Sequence, residues 1–302
     1  MEKPNTTEII VEPIDINQVI NLDKARFNSN NHWVNNIKPL DYNDRINANI
    51  TSRWIKLFKP NAKSFTIDNQ YHIGWMKKAN EISGQTGKFS QLFADELEEF
   101  CDFFTKNYQS ILPHDNEIPY FVRCENVSLK SGEHGPGPYY NIKQIVESLV
   151  SSVHGHTPIY PNTAELTIYL IPWEPAISDS NEFRVFVNAN RITAISQQAL
   201  YSRFKPEPAL VDIDLEKLME IYAREIIKYF ESDIRKKITW TDAYTFDIAV
   251  ILDETNLLVP IFIEPNCFGA EYAAGSALFH WEHDRDQLYG TNKNIVHVRY
   301  TC

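Results

Sequence analysis

Residues 244–266 read YTFDIAVILDETNLLVPIFIEPN, and this stretch decides the fold. Two apolar runs, 244–252 and 257–264, flank Asp253–Asn256, whose composition is that of a hairpin turn. Strand alternation puts Phe246, Ile248, Val250 and Leu252 on one face and Asp247 on the other. A four-residue turn predicts Leu252 opposite Leu257 and Asp247 opposite Phe262. Glu264 and Asn266 then share a parity that brings them to the side of Asp247, with Glu264 a diagonal neighbour at roughly 7–8 Å. Read singly, Asp247 is a solvent-facing strand acid. Two carboxylates and an amide oxygen on one face instead form a hard-oxygen set suited to Mg²⁺, which completes its shell with waters and phosphate oxygens. Without a cation such acids repel one another, so neutral variants are expected to stabilise the metal-free protein slightly.

Working outward, the chain alternates helices with strand pairs. Strands are predicted at 8–11, 118–124 and 166–173, with a hairpin of 182–189 and 192–196 around Asn190. Helices are predicted at 16–27, at 93–108 behind a Ser90 N-cap with Pro113 beyond its end, at 142–153, and at 215–229 behind Asp212 or Asp214. This pattern is an α+β sandwich rather than a bundle or barrel. The 302 residues suit two lobes, and 43% apolar content supplies a sizeable core. With 29 basic and 40 acidic residues, a net charge of −11, the chain is not expected to bind nucleic acid. No apolar run approaches the roughly 20 residues of a membrane span, so no membrane is expected either. The start at Met1–Asn5 has no apolar leader core. Cys101, Cys124, Cys267 and Cys302 show no pairing spacing, which points to buried thiols in a reducing, cytoplasmic setting.

A metal–phosphate site also needs cations and backbone donors. The loop Ser128–Gly137 holds Gly132, Gly135 and Gly137, and Lys130 and the preceding Arg123 carry charge. The loop lacks the order of a Walker loop. Arg184 alternates against Phe183 and Val185 and projects from the face they leave. Two histidine pairs, His154 with His156 and His280 with His283, lack a partner ligand at a known metal spacing. Cys267 has no basic partner and reads as a core thiol, and Trp240 and Trp281 read as packing residues.

Five motifs follow in order: Glu182–Val187, Ile195–Gln197, Phe246–Ile248, Ile263–Gly269 and Leu278–Glu282. Their order and spacing resemble the cell division cycle 123 family of divergent ATP-grasp proteins, over about residues 118–284. The resemblance implies two lobes clamping Mg-ATP: 113–165 as the first lobe with the nucleotide loop, 166–302 as the second with the metal site, and 1–112 as a mixed N-terminal region. It implies Asp247, Glu264 and Asn266 as metal ligands, Glu264 standing where an aspartate is more usual. Arg184 takes the place of a phosphate-contacting arginine, and Arg184 and Asp247 are the candidate catalytic pair. Arg123 falls at the phosphate-lysine position, and Ser128 and Lys130 fall in the nucleotide loop. Thr167, Ile168 and Leu170 fall on the strand that reads adenine through its backbone. Asp247 and Arg184 are nucleotide contacts as well. The implied function is assembly of initiation factor two through its gamma subunit or another protein client. The alternative is a carboxylate–amine ligase acting through an acyl phosphate.

Overall fold

A computed structural model describes residues 7–29, 38–108, 111, 118–272 and 274–302. Along the chain run β1 (Glu8–Ile14), α1 (Ile16–Leu22), α2 (Tyr42–Ala48), α3 (Thr51–Phe58), β2 (Lys63–Ile67), α4 (Gln70–Ser83), α5 (Ala94–Tyr108), β3 (Tyr120–Arg123) and α6 (Ile142–Ser151). There follow β4 (Leu166–Pro172), β5 (Glu182–Asn188), β6 (Arg191–Gln197), α7 (Leu215–Tyr229), α8 (Arg235–Lys237), β7 (Tyr244–Leu252), β8 (Leu258–Asn266), α9 (Arg285–Tyr289) and β9 (Ile295–Thr301). The α+β class is as expected. Pro113 and the boundary expected at 112/113 lie outside the described residues. Among the described residues no helix is long and apolar enough to cross a membrane.

The chain divides into two compact units, Met1–Asn49 with Pro175–Cys302, and Ile50–Glu174. This division differs from boundaries at 112/113 and 165/166. The reason is strand pairing: β4 lies between β2 and β3 in one antiparallel sheet, so strands from all three expected segments share a unit. Such long-range pairing leaves no local mark in the sequence.

In the Met1–Asn49/Pro175–Cys302 unit the sheet order is β1-β9-β6-β5-β7-β8. β5, β6, β7 and β8 pair antiparallel, while β9 pairs parallel with both β1 and β6. The β5–β6 turn places Ala189 and Asn190 at positive φ, 50° and 55°, as a two-residue hairpin of right-handed twist requires. α7 starts at Asp214, whose carboxylate accepts from the Lys217 N–H, and buries Leu218, Met219, Tyr222 and Ile226. These cover the apolar face of the sheet. Phe183 meets Tyr222 edge-on at 5.6 Å, and Phe246 stacks on Phe230 at 6.2 Å. Each such side chain contributes about 1.5–3 kcal/mol of apolar burial.

In the Ile50–Glu174 unit, α4, α5 and α6 cover the β2-β4-β3 sheet. The core they share includes Phe65, Trp75, Phe100, Ile145, Ile168 and Leu170. The stretch 59–92, for which no element is predicted, forms β2 and α4. Gly74 and polar residues dilute the periodicity of α4, and packing on α6 completes it.

Candidate functional site

The β7–β8 register differs from the expected one in a way that tightens the site. Asp253 N–H donates to the Leu257 carbonyl, and its carboxylate accepts from the Thr255 and Leu257 N–H groups. The turn is therefore one residue longer, and Leu252 faces Leu258. A bulge between Asp247 and Ile248 then passes over Ile263, so Phe262 faces Ile248 and Glu264 faces Asp247 directly. Phe262 turns to the apolar side and stacks on Phe246 at 5.9 Å. The expected diagonal Asp247–Glu264 relation is a direct cross-strand pair. Asn266, opposite Thr245, donates its amide to Asp247 Oδ2 at 3.4 Å. Pro260 and Pro265, which lack an N–H, are tolerated because β8 is an edge strand.

Arg184 stands opposite Asp247 on the other neighbouring strand, β5. Its Nε donates to Asp247 Oδ1 at 2.9 Å and its Nη2 to Oδ2 at 2.8 Å, while Nη1 donates to the Gly275 carbonyl at 3.0 Å. The Asp247 side chain is 3% exposed and that of Arg184 14%. Burial alone would lower the guanidinium pKa. The charge and hydrogen bonds of Asp247, with Glu264 adding to them, instead hold it above its ordinary value. The acids are thus not left to repel one another. Arg184 is already their cation, which removes the basis for expecting neutral variants to be more stable.

The same line of facing residues crosses the whole sheet: Glu12, Arg299, Ser196, Arg184, Asp247 and Glu264. The chain from Gly275 to Asp284 closes over its middle. Leu278 N–H donates to Ser196 Oγ, and the Leu278 carbonyl accepts from Arg299 Nη1. Asp284 takes two hydrogen bonds from Arg299 and two from Arg26, and these outweigh its burial to hold its carboxyl below the usual range. Ser196 falls in the Ile195–Gln197 motif, whereas nothing in the local sequence marks Gly275, Asp284 or Arg299 as neighbours of the site. Arg299 is placed by its strand position on β9, and Gly275 and Asp284 by the connecting segment before it.

The expected nucleotide contacts of the Ile50–Glu174 unit are placed differently. Arg123 is 3% exposed, donates from Nε to Thr51 Oγ1 at 2.8 Å, and lies 5.0 Å from the Trp54 ring centroid. Ser128 bridges back to Arg123, and Lys130 is exposed. The glycine-bearing loop does not hold its amides in reserve. Glu133 N–H donates to Ser151 Oγ, His134 N–H to Ser148 Oγ, Gly132 N–H to the Leu129 carbonyl, and Gly135 N–H to the Gly132 carbonyl. His134 pairs with Glu147 at 2.6 Å, so α6 holds the loop along its length. Gly132 is required by close approach, since a Cβ there would lie 2.2 Å from the Ser148 carbonyl oxygen. Thr167 shares a hydroxyl–hydroxyl hydrogen bond with Thr66, and Ile168 and Leu170 are wholly buried. β4 is the central strand, paired on both edges at Tyr169 and Leu170.

The weaker candidates are accounted for by packing. His280 Nδ1 accepts from the Glu282 and His283 N–H groups, and His154 Nε2 contacts the Asn80 carbonyl. Among the described residues no group of three or more His, Cys, Asp or Glu side chains is arranged to hold a metal. Burial pushes the Cys267 thiol up, as fits a core residue. Trp281 is 2% exposed, and its Nε1 donates to the Ala274 carbonyl.

Comparison with known proteins places these features. The family model described as D123 matches residues 142–301. Two solved structures of Cdc123 from Schizosaccharomyces pombe, one of a C-terminally truncated form, each give a TM-score of 0.53 at 15% identity. Each match covers 85% of this chain and 97% of that one. A RimK domain ATP-grasp protein from Sphaerobacter thermophilus gives a TM-score of 0.26 at 14% identity, over 56% of this chain and 48% of that one. No curated protein matches the sequence. At such identities the Cdc123 likeness speaks for the fold.

Proposed function

The chain belongs to the D123, or cell division cycle 123, family, and from that premise we propose that it binds Mg-ATP through the polar face of its larger sheet. The observation that carries this reading is the direct facing of Asp247 and Glu264 with the Asn266 amide on Asp247. The set fits the metal chemically: two carboxylates and one amide oxygen are hard donors, too few to complete six-coordination, which leaves positions for waters and phosphate oxygens. When bound, Mg²⁺ would supply charge neutralisation to the polyphosphate. Asp247, Glu264 and Asn266 would hold it, and Arg184 would bring a bidentate donor to a phosphate oxygen. The segment from Gly275 to Asp284 keeps water from the buried side of the pair. Ser128, Lys130 and Thr167 are proposed separately as nucleotide contacts of the Ile50–Glu174 unit, each to be judged by its own substitution, whereas Arg123, Ile168 and Leu170 are buried within that unit and act as packing residues.

For the biological role we favour assembly of initiation factor two through its gamma subunit, in the cytoplasm. This rests on family membership and on four cysteines that are all free thiols. Calorimetric titration with Mg-ATP, followed by incubation with the gamma subunit, tests both parts. Saturable binding with a stable protein complex and unchanged nucleotide supports the reading. ADP together with a mass increase on an acceptor would replace the assembly role with ligase activity. No binding at millimolar Mg-ATP would remove the nucleotide site.

A further inference from the structure

Asp247 is a poor metal ligand as it stands, because three of its roughly four acceptor positions are in use. A carboxylate offers about four acceptor positions. Arg184 takes one on each oxygen, at 2.9 and 2.8 Å, and Asn266 takes a second on Oδ2. A divalent cation on the same oxygens would also lie beside a buried guanidinium, and the two positive charges repel strongly where water is scarce. We propose that Arg184 is a built-in counter-ion which Asp247 exchanges for a divalent cation, so that metal entry and release of the guanidinium are one event.

The charges explain why exchange is feasible. Two carboxylates and one guanidinium sum to −1, and replacing the guanidinium by a divalent cation brings the acids to neutrality. The displaced guanidinium then needs an anion, because a buried arginine without a partner is costly. A metal ion alone does not supply one, whereas a metal ion carried on a polyphosphate does. Arg184 therefore makes the site weak for free cations and strong for a cation bound to a nucleoside triphosphate. This consequence rests on the nucleotide reading; the exchange at Asp247 does not. By linkage, nucleotide must strengthen metal binding by the same factor as metal strengthens nucleotide binding.

Gly275 is the positioning residue of this arrangement. Its carbonyl accepts from Arg184 Nη1 at 3.0 Å, on the nitrogen not used by Asp247. A Cβ at position 275 would lie 3.0 Å from that same Nη1 and 3.2 Å from Asn28 Oδ1. A side chain at position 275 would therefore oblige the Arg184 guanidinium to give by a few tenths of an ångström while it bonds Asp247. A methyl group there presses on Arg184 without changing any charge.

The test is Mn²⁺ binding without nucleotide, read from loss of the free Mn²⁺ electron paramagnetic resonance signal. Arg184→Met is expected to bind Mn²⁺ at least tenfold more tightly than the unaltered protein, and Gly275→Ala to gain affinity by a smaller factor, roughly two- to fivefold. Gain in both supports exchange. Gain in Arg184→Met alone is an effect of the removed charge on the local field and overturns the proposal, as does no gain in either. If Arg184→Met fails to fold, Gly275→Ala decides by itself, since both charged groups remain. Parallel titrations of Mn²⁺ with ATP into the unaltered protein separate the two readings. Mn-ATP binding without gain in the variants leaves the nucleotide site and removes the exchange. Gain in the variants with no Mn-ATP binding does the reverse.

Discussion

Arg184 and Asp247 face each other on adjacent antiparallel strands and are joined by two parallel N–H···O hydrogen bonds, 2.9 and 2.8 Å long, with the carboxylate buried and the guanidinium half-buried. Charge-assisted pairs of this geometry are the strong ones. They are also the most damaging to break from one side, because the surviving charge stays buried.

Asp247→Asn is therefore expected to destabilise the nucleotide-free protein by about 3–5 kcal/mol. Glu264→Gln, on the less buried edge strand, is expected to cost less. Both should lose Mg-ATP affinity. Chemical denaturation of the two variants checks the first part. A more stable Asp247→Asn protein would restore the repulsion argument and contradict the ion pair.

Mg-ATP should raise the melting temperature of the unaltered protein, because a ligand held only by the native state adds about 2.7 kcal/mol at a hundredfold excess over Kd. The same titration on Glu264→Gln should give a smaller shift at equal concentration. Equal shifts would take Glu264 out of the metal set.

For the glycine-bearing loop, the amides of 132–135 are expected to exchange slowly with solvent and to be unchanged by Mg-ATP, since α6 already holds them. Gly132→Ala should destabilise by about 1–3 kcal/mol through overpacking on Ser148. Hydrogen exchange that is fast without nucleotide and slow with it would show instead a lid that closes.

Arg123 is expected to behave as a packing residue. Losing its hydrogen bond to Thr51 and its contact with Trp54 should cost about 2 kcal/mol in Arg123→Ala. The matching measurement is ATP affinity under conditions where the variant is folded. A large loss of affinity with little loss of stability would return Arg123 to the nucleotide contacts.

Acid should act through Glu12. The His297 ring 3.5 Å away and the Arg299 guanidinium, whose Nε donates to Glu12 at 2.7 Å, together outweigh burial and hold its carboxyl well below the ordinary glutamate value, at about 2. A depressed carboxyl contributes stability that is full above its unfolded pKa and is lost as pH falls through the folded one. Between about pH 4.5 and 2 the melting temperature should therefore drop, and in Glu12→Gln it should drop less steeply over the same range. Parallel slopes would exclude this carboxyl.

The sequence by itself was enough for the local parts of this protein. Alternation within 244–252 put Asp247 opposite in facing to Phe246 and Ile248, and the same rule freed Arg184 from the apolar face. Asp212 and Asp214 marked the start of α7 to within two residues, with Asp214 chosen by the structure, and Asn190 marked the centre of a tight turn. Each of these is set by backbone geometry over a few neighbouring residues, so composition and period are sufficient. Tertiary structure decided the rest. A five-residue turn and one bulge moved Glu264 from a diagonal to a direct partner of Asp247. Pairing between strands more than sixty residues apart in sequence gave Asp247 its guanidinium, and a loop 91 residues further on gave that guanidinium its third acceptor. α6 converted a glycine-bearing loop from an open cradle into a pinned segment. β9, the last strand, lies between β1 and β6 in a parallel pairing with each. Register, long-range pairing and the choice of hydrogen-bond partner all depend on which distant groups arrive together, and no window of sequence contains that information.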